Sequence, residues 1–174
     1  MLRSVTSGEW VMRTKTTIGL AGALWMLLSS AGLATTTSTT FQTRITIDAS
    51  CTIVSAPTFD FGTQAVLASN VNQTGSIQVQ CTNSTPYNIG LDAGTGTGAT
   101  VAVRKMTNGG NTVTYSLYTD SGHSTVWGNT AGTDTVSATG TGASQSFTIY
   151  GQVPAQTTPA PALYTDTITL TVSY

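Results

Sequence analysis

Charge is what this chain most lacks. Only 7% of its 174 residues are Asp, Glu, Lys or Arg, against roughly 25% in an ordinary soluble protein. Past Ala34 the bases are Arg44, Arg104 and Lys105, and the acids are Asp48, Asp60, Asp92, Asp120, Asp134 and Asp166, with no glutamate. So few positive charges exclude a nucleic-acid-binding surface, which needs a basic face to meet phosphates. The chain has one histidine and two cysteines, too few clustered ligands for a metal centre. No G-x-S-x-G nucleophile elbow occurs, and His123 sits in a polar D-S-G-H-S turn, where a solvent-facing role is the simple reading. The six scattered aspartates show no spacing that marks a carboxylate pair. No catalytic residue, metal or cofactor is therefore assigned. Disorder is excluded as well, because it goes with high charge and few β-branched residues, and this chain is rich in Thr, Val and Ile.

What is present begins with an address. Arg13 and Lys15 precede the apolar run Ile18 to Leu28, and Gly32 and Ala34 are small residues placed like the last positions before a cleavage site. This is the layout of a secretory signal. Residues 1–34 are read as a signal peptide, with Met12 as an alternative start. The run is shorter than the roughly 18 apolar residues a membrane anchor needs. In an exported chain the remaining pair, Cys51 and Cys81, reads as a disulfide, with two buried free thiols as the alternative. A bridge over that span contributes roughly 3–4 kcal/mol in the chain-entropy account.

Past the leader the pattern is period-2 alternation, the mark of half-buried strands. Gln73 to Cys81 aligns Ile77, Val79 and Cys81, and Pro86 to Asp92 aligns Tyr87, Ile89 and Leu91. Asn111 to Thr119 aligns Val113, Tyr115 and Leu117, and Gln145 to Gly151 aligns Phe147 and Ile149. Thr165 to Tyr174 aligns Ile168, Leu170, Val172 and Tyr174. Turns fall at Gly94–Gly98, Asn108–Gly110, Ser121–Gly122, Gly128–Asn129 and Gly132–Gly142, and Pro154, Pro159 and Pro161 mark a loop. Short strands at this spacing predict an all-β sandwich or barrel. Trp127 and the tyrosines at 87, 115, 118, 150, 164 and 174 are either packing residues or stacking surfaces for sugars.

One segment stands apart. Phe41, Thr43, Ile45 and Ile47 alternate with Gln42, Arg44 and Thr46, after a Thr/Ser stretch from Thr35 to Thr40. It is either the first edge strand of the sandwich or a strand that leaves its own domain.

The motifs F-D-F-G-T at 59–63, V-Q-C-T-N-S-T-P-Y at 79–87 and Y-S-L-Y-T-D at 115–120 recur in a specific order with T-V-W-G-N at 125–129, T-I-Y-G-Q-V-P at 148–154 and Y-T-D-T-I-T-L-T-V-S-Y at 164–174. In that order and spacing the chain resembles the spore coat protein U domain family, which includes the subunits of Csu-type pili built by the archaic chaperone–usher route. The resemblance implies an incomplete immunoglobulin-like β-sandwich completed by donor-strand complementation. It divides the chain into a leader at 1–34, a donor extension at 35–47 and a pilin-type domain at 48–174. It places Phe41, Thr43, Ile45 and Ile47 on the donor strand, and Ile168, Leu170, Val172 and Tyr174 at the accepting groove. The partners it implies are identical or related subunits, a periplasmic chaperone and an outer-membrane usher, with export through the periplasm to the cell surface. A surface coat protein with the same domain and a secreted carbohydrate-binding module are the competing expectations.

Overall fold

The computed structural model describes residues 34–56 and 58–174. The predicted leader lies outside the described residues, apart from Ala34. No helix occurs among the described residues. Eight strands follow in order: β1 (Cys51–Ser55), β2 (Val71–Cys81), β3 (Pro86–Leu91), β4 (Arg104–Asn108), β5 (Asn111–Tyr118), β6 (Val136–Thr139), β7 (Ser144–Val153) and β8 (Leu170–Ser173). All belong to the unit Arg44–Tyr174. Of the unit before it, residues 34–43 are described, and they carry no strand.

The strands form two antiparallel sheets, one of five in the order β1-β2-β7-β5-β4 and one of three in the order β6-β3-β8. The chain is thus an all-β, two-sheet sandwich. The long β2–β7 ladder runs from Val71 opposite Val153 to Gln80 opposite Ser144. The alternation read from the sequence sets which face is buried. Ile77, Val79, Val113, Tyr115, Leu117 and Ile149 from the large sheet meet Tyr87, Ile89 and Leu91 from the small one. Burying side chains of this size contributes roughly 1.5–3 kcal/mol each.

Four of the five predicted strands appear with small changes of boundary, as β2, β3, β5 and β7. The fifth is corrected. The alternation from Thr165 to Tyr174 is not one strand, because the chain changes sheets along it. Thr165 bridges to Thr107 of β4 in the large sheet, while Leu170 to Ser173 pair with β3 in the small one. Three strands were not read from the sequence: β1, β4 and β6.

Two glycines act through space or backbone. Gly109 has φ of 56° in the two-residue turn of the β4–β5 hairpin, where Asn108 pairs with Asn111, a conformation glycine adopts at little cost. Gly151 on β7 lies directly beneath the Phe59 ring, and a Cβ there would also meet Phe61 at 3.0 Å. The two rings pack edge-to-face at 5.3 Å, so F-D-F-G-T is a core plug laid over a bare stretch of β7.

The disulfide is formed. Cys51 and Cys81 face each other across the β1–β2 ladder, with Cα atoms 4.1 Å apart. No free cysteine remains. Thr82 holds the same corner, because its Oγ1 accepts from the Ser50 amide at 3.1 Å and its own amide donates to the Ser50 carbonyl at 2.9 Å.

Candidate functional site

The small sheet ends at β8, which pairs with β3 on one side and with no strand on the other among the described residues. The large sheet ends at β1, and the two edge strands lie against one another. Their inner faces are incompletely covered. Ile53 of β1 sits opposite Val79, and such cross-strand partners share a face. Yet Val79 is 0% exposed and Ile53 is 41% exposed. Ile168, Leu170 and Val172 pack against the core but reach only half-burial, whereas Ile89, opposite Val172, is fully buried. The sandwich therefore leaves an apolar strip along β1 and β8 with unpaired backbone groups beside it. Such an edge templates pairing with another strand. Tyr174 lies past the end of β8 and is 62% exposed.

The segment before Cys51 does not form the first edge strand of the sandwich. Residues 34–50 carry no ladder pairing. Phe41, Ile45 and Ile47 are 85%, 87% and 74% exposed, and Thr43 is exposed too. Large apolar side chains in a row, none of them covered, are unusual for a chain with so few to spend on its own core.

The approach to β8 is held by polar groups that sequence reading missed. Arg104, at the start of β4, is 0% exposed. Its Nε donates to the Asp92 carbonyl at 2.8 Å and its Nη1 to the Val101 carbonyl at 2.8 Å. Its Nη2 donates to the carbonyls of Leu91 at 3.0 Å and Trp127 at 2.7 Å. The guanidinium thus gathers the end of β3, the 92–101 loop and the 127 turn onto one point. Burial lowers its pKa, against the pull of Tyr115, Asp92, Asp166 and Asp134.

Two carboxylates fix the chain as it crosses between sheets. Asp92 Oδ1 accepts from the amides of Gly94 at 3.0 Å and Thr169 at 2.9 Å. Burial pushes Asp92 up, but those hydrogen bonds and the Arg104 charge outweigh it and hold the carboxyl below its usual value. Asp166 Oδ1 accepts from the Thr95 amide at 2.8 Å, and its Oδ2 accepts from the Tyr115 hydroxyl at 2.9 Å. Burial, and then the bond to Asp166, push the Tyr115 hydroxyl far above its ordinary pKa. The one signal that could have found it is the rarity of charge: past Ala34 only three bases remain, and Arg104 falls between two strand-like runs.

The remaining candidates separate by burial. Trp127 is 1% exposed, and its Nε1 donates to the Ile89 carbonyl at 2.9 Å. Tyr87 and Tyr115 are core residues, while Tyr118, Tyr150 and Tyr164 are half-buried. His123 packs edge-on to Tyr118 at 5.3 Å. The Asp120 carboxylate beside it is taken up by the amides of Ser124 and Thr125. Its pKa is lowered first by the Ser124 amide. Among the described residues no group of three or more His, Cys, Asp or Glu could hold a metal ion.

The family model described as Spore Coat Protein U domain matches residues 37–171. Among curated proteins nothing matches the chain. Among solved structures, the chain is similar to the CsuC-CsuE chaperone-tip adhesion subunit pre-assembly complex from archaic chaperone-usher Csu pili of Acinetobacter baumannii, at 24% identity and a TM-score of 0.54. The similarity covers 74% of this chain and 40% of that one, so the likeness is one of fold and this chain spans less than half of that chain's length.

Proposed function

This chain belongs to the Spore Coat Protein U domain family, and we propose that it is a structural subunit of a surface pilus assembled by a chaperone–usher pathway. Its subunits join by donor-strand exchange, and the fibre serves adhesion and biofilm formation. In this reading residues 35–47 of one copy lie along β8 of the next. Phe41, Thr43, Ile45 and Ile47 point into the strip lined by Ile168, Leu170 and Val172, with Tyr174 at its end. Before assembly a periplasmic chaperone covers the strip, and the usher carries the subunit to the surface.

The observation that carries the reading is a complementary pair of defects in one chain: an edge strand whose inward residues are only half-covered, and an uncovered apolar alternation with no ladder of its own. Adding a strand to an open edge supplies main-chain hydrogen bonds, and alternate side chains supply specificity. Burial of Phe41, Ile45 and Ile47 contributes roughly 1.5–3 kcal/mol each, and each new hydrogen bond roughly 0.5–1.5 kcal/mol net. The cost is the ordering of a flexible segment. Thr43 is a smaller and more polar knob than its neighbours, and it fits a shallow position.

Deleting Thr35 to Ile47 tests this. The truncated chain is expected to fold and be held by its chaperone but to form no fibres. Truncated protein that polymerises as readily as the full chain sinks the proposal.

A further inference from the structure

The proposed joint makes no use of the outer face of the large sheet. The register of β5, β7 and β2 places Tyr118, Tyr150 and Thr74 in one row across three strands, and Ser116, Gln152 and Asn72 in the next. None of the six carries a charge. The two tyrosines are half-buried. Gln152 Nε2 donates to Asn72 Oδ1 at 3.0 Å. That bond aligns the two amides and leaves the Asn72 nitrogen as a donor and the Gln152 oxygen as an acceptor.

The platform has a wall. The turn after β5 carries His123 with φ of 56°, a left-handed conformation uncommon outside glycine that histidine adopts more readily than most residues. Its ring stands edge-on to Tyr118, and Asp120 stiffens the turn through the Ser124 and Thr125 amides. Between turn and sheet lies a shallow depression of about 270 Å³, lined by Asn72, Gln73, Thr74, Ser121, His123 and Tyr150. No charged side chain lines it.

We propose that this depression and the tyrosine row beside it form a binding site for a neutral saccharide. Tyr150, which lines the depression, stacks on the apolar face of a sugar, Tyr118 backs the His123 wall, and Asn72, Gln152 and His123 hydrogen-bond its hydroxyls. The chemistry fits on three counts. Tyrosine is apolar in body and polar at its tip, matching a pyranose that is C–H on one face and hydroxylated at its rim. Neighbouring strands lie roughly 4.8 Å apart, so Tyr150 on β7 and Asn72 and Thr74 on β2 can underlie successive parts of one short glycan. A few fixed polar groups in a concave site set orientation, and the Asp120 carboxylate in the wall turn disfavours acidic sugars.

The test is chemical-shift perturbation of the full purified chain by cellotetraose, maltotetraose and chitotetraose, with sialyllactose as the charged comparator. The proposal expects at least one neutral tetrasaccharide to shift amides in 72–74, 118–123 and 150–152 together, and sialyllactose to bind more weakly. Tyr150→Ala is expected to weaken that binding roughly three- to tenfold, the worth of one aromatic stacking contact. Tyr150→Phe should retain most of it. Should Tyr150→Ala fail to fold, His123→Gly, which accepts the left-handed backbone of this turn, is expected to weaken binding while the chain still folds. No shift from any neutral probe, shifts outside these segments, equal binding of sialyllactose, or wild-type affinity in both variants overturns it. All of these readouts concern single subunits, so they stand whether or not fibres form by strand exchange.

Discussion

Replacing Arg104 with methionine asks whether one buried guanidinium organises the region from which the last strand departs. The side chain is fully buried and gives its hydrogen bonds to four main-chain carbonyls, those of Asp92, Val101, Leu91 and Trp127. Methionine fills a similar volume but leaves those acceptors without this donor, at about 1–3 kcal/mol each. Removing a charge from the interior returns several kcal/mol. Where both members of a buried ion pair are replaced, that return can cancel the loss. Here the partners are backbone, which no substitution removes, so the loss should win by about 3 kcal/mol. For a domain of this size the thermal midpoint should fall by about 10 °C. Near-ultraviolet circular dichroism is the natural assay, since Trp127 belongs to the same cluster. Arg104→Lys keeps the charge and three donors but not the planar fork, and it should fall between the parent and the methionine variant. A methionine variant melting within about 2 °C of the parent refutes the reasoning, because the four bonds would then contribute nothing net.

Three further outcomes follow from the same geometry. Ile45→Asp should leave the domain's own stability within about 0.5 kcal/mol, as exposed substitutions do, yet make fibres dissociate at lower denaturant; fibres of unchanged resistance would place the donor register elsewhere. Replacing Cys51 and Cys81 with serine should cost roughly 3–4 kcal/mol of stability, read as a lower thermal midpoint that added reductant no longer changes. Asp92 has a depressed folded pKa, so its contribution is present above the ordinary carboxylate value of about 3.9 and is lost as pH falls through the lower folded value. The protection factor of the Thr169 amide, exchange corrected for its intrinsic pH dependence, should therefore fall as the pH drops below about 4 in the parent, while Asp92→Asn should show a lower protection factor at neutral pH and little further change on acidification.

The strands that the sequence revealed are those whose environment is two-sided. β2, β3, β5 and β7 each have one face in the core and one in solvent or against polar neighbours, so hydrophobic and polar residues must alternate along them. β4 escaped because its inward residues are Met106 and Arg104, and the arginine reads as surface until the four carbonyls around it are known. β1 escaped because its apolar residues, Ile53 and Val54, are adjacent where the ladder shifts register between Ile53 and Ser55, so they do not alternate, and both stay exposed. β6 is four residues of V-S-A-T inside a glycine-dotted stretch. The last strand was overread because alternation reports only which side faces inward, and between Thr165 and Leu170 the inward side passes from one sheet to the other.

By itself the sequence determined the all-β class and the order of motifs that marks the family, and it narrowed Cys51 and Cys81 to a bridge or two buried thiols. These are local or compositional, and they survive without coordinates. Only the tertiary structure decided which sheet each strand joins, that β8 and β1 end their sheets side by side, and that Arg104 lies inside. Those facts depend on contacts between residues far apart in the chain, and periodicity carries no record of which neighbour a strand has, or of whether it has one.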